Sequence, residues 1–187
     1  MRITITTISL LAVPALLAGC GEKKAVEVKN ASASEVASKV TDAGIHFQPG
    51  AWETTAKMAD VSIEGLSPEM AAAMKSAMAQ NAAGPAHVTR TCLTPEKAEK
   101  PDSTFFGKGD SHCTYKDFTM GGGKIAGTMA CKDEGGDRTM TMNGSYTPDS
   151  YTMDMTMAGD HGGKAMTMHL VATSHRVGDC RPDDRTN

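Results

Sequence analysis

"MTMNGSYTPDSYTMDMTM", residues 140–157, decides the fold. Before Pro148-Asp149 the methionines stand at even positions, Met140 and Met142. After it they stand at odd ones, Met153, Met155 and Met157. A two-residue turn at Pro148-Asp149 makes Tyr146 face Tyr151, Gly144 face Met153, Met142 face Met155 and Met140 face Met157. All the apolar side chains then point one way, and Thr141, Asn143, Ser145, Thr152, Asp154 and Thr156 point the other. A two-residue turn requires this parity switch if one face is to stay apolar, whereas metal binding does not require it.

The same rule extends in both directions. Beyond the loop around His161, Met166, Met168 and Leu170 keep the alternation, and the spacing predicts that they oppose Met157, Met155 and Met153. Upstream, a turn at Gly122-Gly123 sets Met120 against Ile125 and Phe118 against Gly127. One bulge near Lys116-Asp117 brings Tyr115 opposite Met129 and Cys113 opposite Cys131. From His112 onward the chain therefore reads as a one-sided antiparallel meander.

Before the meander, "QPGAWETTAKMADVSIEG" reads as a strand opened by a Pro-Gly turn. A helix follows, with Ser67 as N-cap and Pro68 at its first position. Leu66, Met70, Met74 and Met78 give it an apolar face. "AHVTRTCL" is a second strand, "TPEKAEK" a short helix opened by Thr94 and Pro95, and a loop carries Phe105 and Phe106. The expected fold is mainly β: a curved antiparallel meander or partly open barrel with one amphipathic helix packed on it. The Met70 helix is expected to cover the apolar face.

The N-terminus gives an address. Arg2 precedes an apolar run from Ile3 to Leu17, shorter than the roughly 20 residues that a spanning helix needs. The run ends in Leu17-Ala18-Gly19-Cys20, which resembles the lipobox of bacterial lipoproteins. That resemblance implies a signal peptide over residues 1–19, diacylation of Cys20 and a membrane anchor. Gly21, in place of an Asp, implies the outer membrane facing the periplasm. Residues 20–46, rich in Ala, Ser, Lys and Glu, read as a linker with a short helix from Glu35 to Asp42, capped by Ser34 and stopped by Gly44. The domain is expected over residues 47–180 and a tail over 181–187.

Besides Cys20, four cysteines remain, an even number in an exported chain. Register favours Cys113–Cys131, leaving Cys92–Cys180. Cys180 lies 14 residues beyond Met166 on a strand running away from the Cys131 end, too far for a disulfide unless that strand bends back. The sequential pairing, Cys92–Cys113 with Cys131–Cys180, is the alternative. No CxxC supports zinc or redox chemistry.

"PGAWE", "SPEMAAAM", "CLTPEKA", the "C…GGGKIAGTMAC" hairpin, "YTPDSYTMDMTM" and "MTMHLVATSHRVGDC" occur in an order that resembles the DUF3617 family of bacterial envelope proteins, over roughly Gln48 to Cys180. The resemblance implies a periplasmic all-β domain with a helical insertion and structural cysteines. It supplies no catalytic residues.

Composition excludes several classes. Positive and negative residues nearly balance, 19 Lys and Arg against 22 Asp and Glu, and no basic stripe points to nucleic acid. "GGGKIAG" lacks the Ser or Thr and the helix of a phosphate loop. Ser, His and Asp occur, but no nucleophile elbow recruits them. No cofactor is implied, and the sequence points away from an enzyme. The expected role is binding or scaffolding, with an envelope protein or an apolar ligand as partner. A second reading is Cu(I) or other soft-metal handling by Met140, Met142, Met153, Met155, Met157, Met166 and Met168, because thioether sulfur is a soft ligand. Against it, the Met-x-Met spacing is also what a strand needs to fill an interior. His169 has the opposite parity to these methionines, and His161, beside Asp160, offers only a weak metal site.

Overall fold

The computed structural model describes residues 25–83, 87–101, 112–133, 136–160 and 163–186. Cys20, Phe105, Phe106 and His161 lie outside them. The strands are β1 (Val26–Ala31), β2 (Gly50–Ile63), β3 (His87–Leu93), β4 (Cys113–Gly121), β5 (Lys124–Asp133), β6 (Gly136–Thr147), β7 (Ser150–Asp160), β8 (Ala165–Gly178) and β9 (Arg185–Thr186). The helices are α1 (Ala33–Asp42), α2 (Pro68–Ala83) and α3 (Pro95–Glu99). All the strands share one open sheet in the order β1-β4-β5-β6-β7-β8-β2-β3-β9. The pairs are antiparallel except β3 with β9, so the meander curves without closing into a barrel.

The expected register holds from β4 through β7. Gly122 and Gly123, at φ 57° and 78°, make the hairpin turn that two positive-φ residues allow. Met120 pairs with Ile125, Phe118 with Gly127, Tyr115 with Met129 and Cys113 with Cys131, across a shift between Tyr115 and Asp117. Gly127 is required there, because a Cβ would come within 2.9 Å of the Asp117 carbonyl and 3.3 Å of the Phe118 ring. Around Pro148-Asp149, Met140 pairs with Met157 and Met142 with Met155.

Between β7 and β8 the register differs by two residues from the expectation. Met157 pairs with Met168, Met155 with Leu170 and Met153 with Ala172. The pairing continues to Asp160 opposite Ala165, and ten residues rather than eight separate Met157 from its partner. An even slip leaves every side chain on the same face.

The larger correction concerns what covers that face. Residues 20–46 were expected to be a tether, yet from Val26 onward they are folded into the domain. β1 pairs antiparallel with β4, Val26 beside Met120 and Ala31 beside Tyr115. Helix α1 begins two residues before the expected start. Its cap is Ser32, whose hydroxyl accepts from the Glu35 N–H while the Glu35 carboxylate accepts from the Ser32 N–H. Gly44, at φ 69°, follows its end. Val36, Ala37 and Val40 enter one buried cluster with Val26, Ala31, Tyr115, Phe118, Met120, Met129 and Met142. Short apolar side chains on α1 suit a close approach to a sheet already filled by methionine and aromatic rings.

The Met70 helix does not take that place. Ser67 does cap α2, accepting from the Met70 N–H, but no described residue of α2 is buried and Met70 is 59 % exposed. Ala71, Met74 and Met78, on one side of the helix, are half-buried, so α2 rests partly against β2 without being sealed on it. Nor is the C-terminus a loose tail: Asp184 is buried, and β9 runs beside β3.

Candidate functional site

The inner face of the sheet is built from cross-strand rows. One row runs Met129, Met140, Met157, Met168, Val61 over β5, β6, β7, β8 and β2. Beside it runs Gly127, Met142, Met155, Leu170, Met58. Directly paired Cβ atoms on such a face lie about 4.5–5.5 Å apart. Four methionines on four consecutive strands thus form a ladder of thioethers.

The ladder is not uniformly covered. Met129 is 8 % exposed beneath α1, and Met140 packs against the same cluster. Met157 and Met168 are half-buried and belong to neither core cluster, as does Met166 one row nearer the strand ends. Met58, on β2, is 45 % exposed. The uncovered part is therefore local: Met157, Met166 and Met168 stay half-buried outside both clusters and Met58 is exposed, whereas Met153 and Met155 on β7 pack against the α1 cluster and Val61 on β2 is buried. Where the face is sealed, methionine is filler: at Gly144 a Cβ would lie 2.6 Å from the Met153 sulfur, so this glycine makes room for the thioether.

The opposite end of the strands is aromatic. Phe47 meets Trp52, Tyr146 and Tyr151 edge-on at centroid distances of 5.7, 5.9 and 6.2 Å, and Trp52 stacks on Tyr151. The Trp52 indole N–H donates to the Gln48 carbonyl, and the Gln48 N–H to the Pro148 carbonyl, which ties the "QPGAW" entry to the β6–β7 turn. A pocket under α1, lined by Val40, Ile45, Phe47, Leu93, Lys97, Ala98 and Pro101, offers about 10 Å³. That is room for about one water, whereas small-molecule sites occupy ~300 Å³ or more. This pocket is not a ligand cavity.

The cysteines are joined as the register favoured, Cys113 to Cys131 and Cys92 to Cys180, with Cα separations of 4.0 and 5.3 Å. The sulfur atoms left on the inner face are thioethers. His169 lies on the outer face, its Nε2 2.9 Å from an Asp154 carboxylate oxygen, apart from the methionines. No group of three or more His, Cys, Asp or Glu among the described residues is arranged to hold a metal.

One polar constellation escaped the sequence reading. Asp184 accepts from Arg90 Nε and from the Arg181 N–H, each at 2.6 Å, while Arg90 Nη1 also donates to Glu53 at 3.3 Å. The Arg181 N–H first, and then Arg90, hold the Asp184 carboxyl below its ordinary range. This clasp fixes the C-terminus on β3 beside the Cys92–Cys180 bond. Arg90 and Asp184 are 94 residues apart, and no local pattern announces such a pair. Burial also pushes the Tyr115 phenol up to about 12, which suits a ring serving as core.

The sheet is open and its apolar face is only partly covered. The match to a family model, Protein of unknown function (DUF3617), covers residues 47–180, and the chain belongs to that family. No curated protein and no solved structure matches the chain. The matched span begins after α1, so the segment that seals half of the face lies outside it.

Proposed function

We propose that the protein is a non-catalytic binding module of the bacterial cell envelope, anchored through a lipid on Cys20 at the outer membrane and facing the periplasm. Its binding surface is the open part of the methionine face. The observation that carries this reading is the contrast within one row, Met129 sealed and Met157 and Met168 left half-open. Methionine is over-represented on surfaces that adapt to what they bind, because its unbranched thioether arm repacks readily.

The folding of β1 sharpens the anchoring. Only residues 21–25 separate Cys20 from Val26, at most about 17 Å of extended chain. A lipid on Cys20 would hold the Val26 end of β1 close to the bilayer, together with the Gly122-Gly123 turn that pairs beside it. The row that includes Met157 and Met168 lies four residues along β5 from Ile125, about 13 Å farther from that end. That row would then stand farther from the bilayer than the Gly122-Gly123 turn does.

Methionine oxidation footprinting in intact cells and on the purified chain tests the reading. Met157, Met166 and Met168 are expected to be protected in cells relative to the purified protein, while Met70 on α2 oxidises equally in both. Equal oxidation of all four in both settings overturns the proposal. Cys20→Ala is expected to release the chain from the membrane fraction.

A further inference from the structure

We propose that Met140, Met157 and Met168, where the methionine ladder passes out of the α1 cluster, form a site for a soft monovalent cation, which in a cell is Cu(I). This rests on the preceding reading of the face as a binding surface and names what it binds. Met157 stands between its two neighbours as the direct partner of each. Met157 has a Cβ about 5 Å from each neighbour, and the flanking pair, about 10 Å apart, can lean inward to bring all the sulfurs onto one ion, as three torsions in each arm allow. Thioether is a soft ligand suited to Cu(I) and poorly suited to Mg(II) or Ca(II). The four described cysteines are spent in disulfides, so no thiolate competes within the sheet. Arg138, one row nearer the strand ends, is exposed, and solvent and salt screen its charge.

Filling explains methionine only where there is a gap to fill. Met120, Met129 and Met142 are buried in the cluster that α1 completes, with β1 beside β4 in the sheet, and there an irregular space meets an adaptable side chain. Met157 and Met168 are half-buried and lie outside that cluster. Strand positions left half-open ordinarily suit β-branched or aromatic residues, which lose little on ordering. Placing long thioethers there, side by side on adjacent strands, wins no packing that Val, Ile or Thr would not supply. It does place three sulfurs within reach of one another and of solvent.

The full chain, purified in detergent, is titrated with Cu(I) held by a competing chelator, and with Ag(I) as a redox-inert substitute. One ion per chain is expected, with a Kd below about 1 µM, and X-ray absorption should show sulfur-only ligation. Met157→Ile and Met168→Ile are each expected to weaken binding about tenfold or more while the thermal transition stays cooperative; Met70→Ile should leave it unchanged. Absence of binding tighter than micromolar overturns the proposal. So does binding that survives the triple change of Met140, Met157 and Met168 to Ile, or an oxygen- or nitrogen-ligated absorption spectrum. Should a variant lose its cooperative transition, Met157→Leu with the absorption readout replaces it. A failed titration alongside intact protection in cells would reject the cation and leave the face bound to something else. Equal oxidation in both settings would reject the face itself.

Discussion

The two halves of the inner face use one residue type in opposite settings. Over β4 to β6, methionine packs with α1 and with Val26 of the neighbouring strand β1 among Tyr115 and Phe118, and it behaves as core. At Met157 on β7 and at Met166 and Met168 on β8, the same residue on the same face is half-buried outside that cluster, which Met153 and Met155 still join. Strand patterning alone does not distinguish them, because both halves obey one rule of alternation. A cover supplied from elsewhere in the chain makes the difference, and so the cover, not the pattern, separates structure from binding surface.

The most forceful way to break this comparison is to remove the cover. A chain beginning at Gln48 retains the family-matched span but loses β1 and α1. It would expose Phe118 and Met120, which are 0 % and 1 % exposed in the intact fold. We expect no cooperative urea transition and strong binding of a hydrophobic dye. A cooperative transition close to that of the full chain would show that the cover is dispensable. A milder test sets one residue from each half side by side. Phe118→Ala removes a fully buried ring and should cost about 3–5 kcal/mol. Met168→Ala, on the open half, should cost about 1 kcal/mol or less. Equal costs in chemical denaturation would mean that the open half is as tightly packed as the sealed one.

How far the sequence could be read follows from which interactions are local. The β4–β5 and β6–β7 hairpins, the bulge near Lys116 and both disulfides were legible because short turns fix register and register fixes faces. The β7–β8 pairing was legible only in parity, since the loop around His161 gives no turn chemistry that sets its length. The cover was missed for a compositional reason. Val26 and Val28, then Val36 and Val40, sit among Ala, Ser, Lys and Glu, and the stretch has the polarity of a linker. Its burial depends on β4, more than 70 residues away. The opposite error was made with α2, where Met70, Met74 and Met78 promised a buried face, and Met70 stands exposed. For the candidate site, the methionines themselves were legible. Which of them stay open was not, because that depends on where α1 lands. The Arg90–Asp184 clasp, a long-range pair, left no trace at all.

That clasp allows the finest test of the comparison. The half of the sheet beyond α1 lies outside the large cluster, and its far edge is held by Asp184 together with the Cys92–Cys180 bond. Because the Asp184 carboxyl titrates below its ordinary value of 3.8, its contribution is complete above that value. It is lost as pH falls through the lower value that the carboxyl has in the fold. Glu35 is likewise held down, by the Ser32 N–H first, so acid also weakens the first turn of α1. Beneath that turn, however, Val36 and Val40 stay buried by contacts that do not titrate. Below about pH 4, then, amide exchange should quicken first at Thr91 and Cys92 on β3, beside β9, while the amides of β4 and β5 remain protected. Asp184→Asn should show faster exchange on β3 already at neutral pH and little further change on acidification. If acid loosens β4 and β3 together in the parent chain, the two halves unfold as one unit, and their difference is one of surface alone.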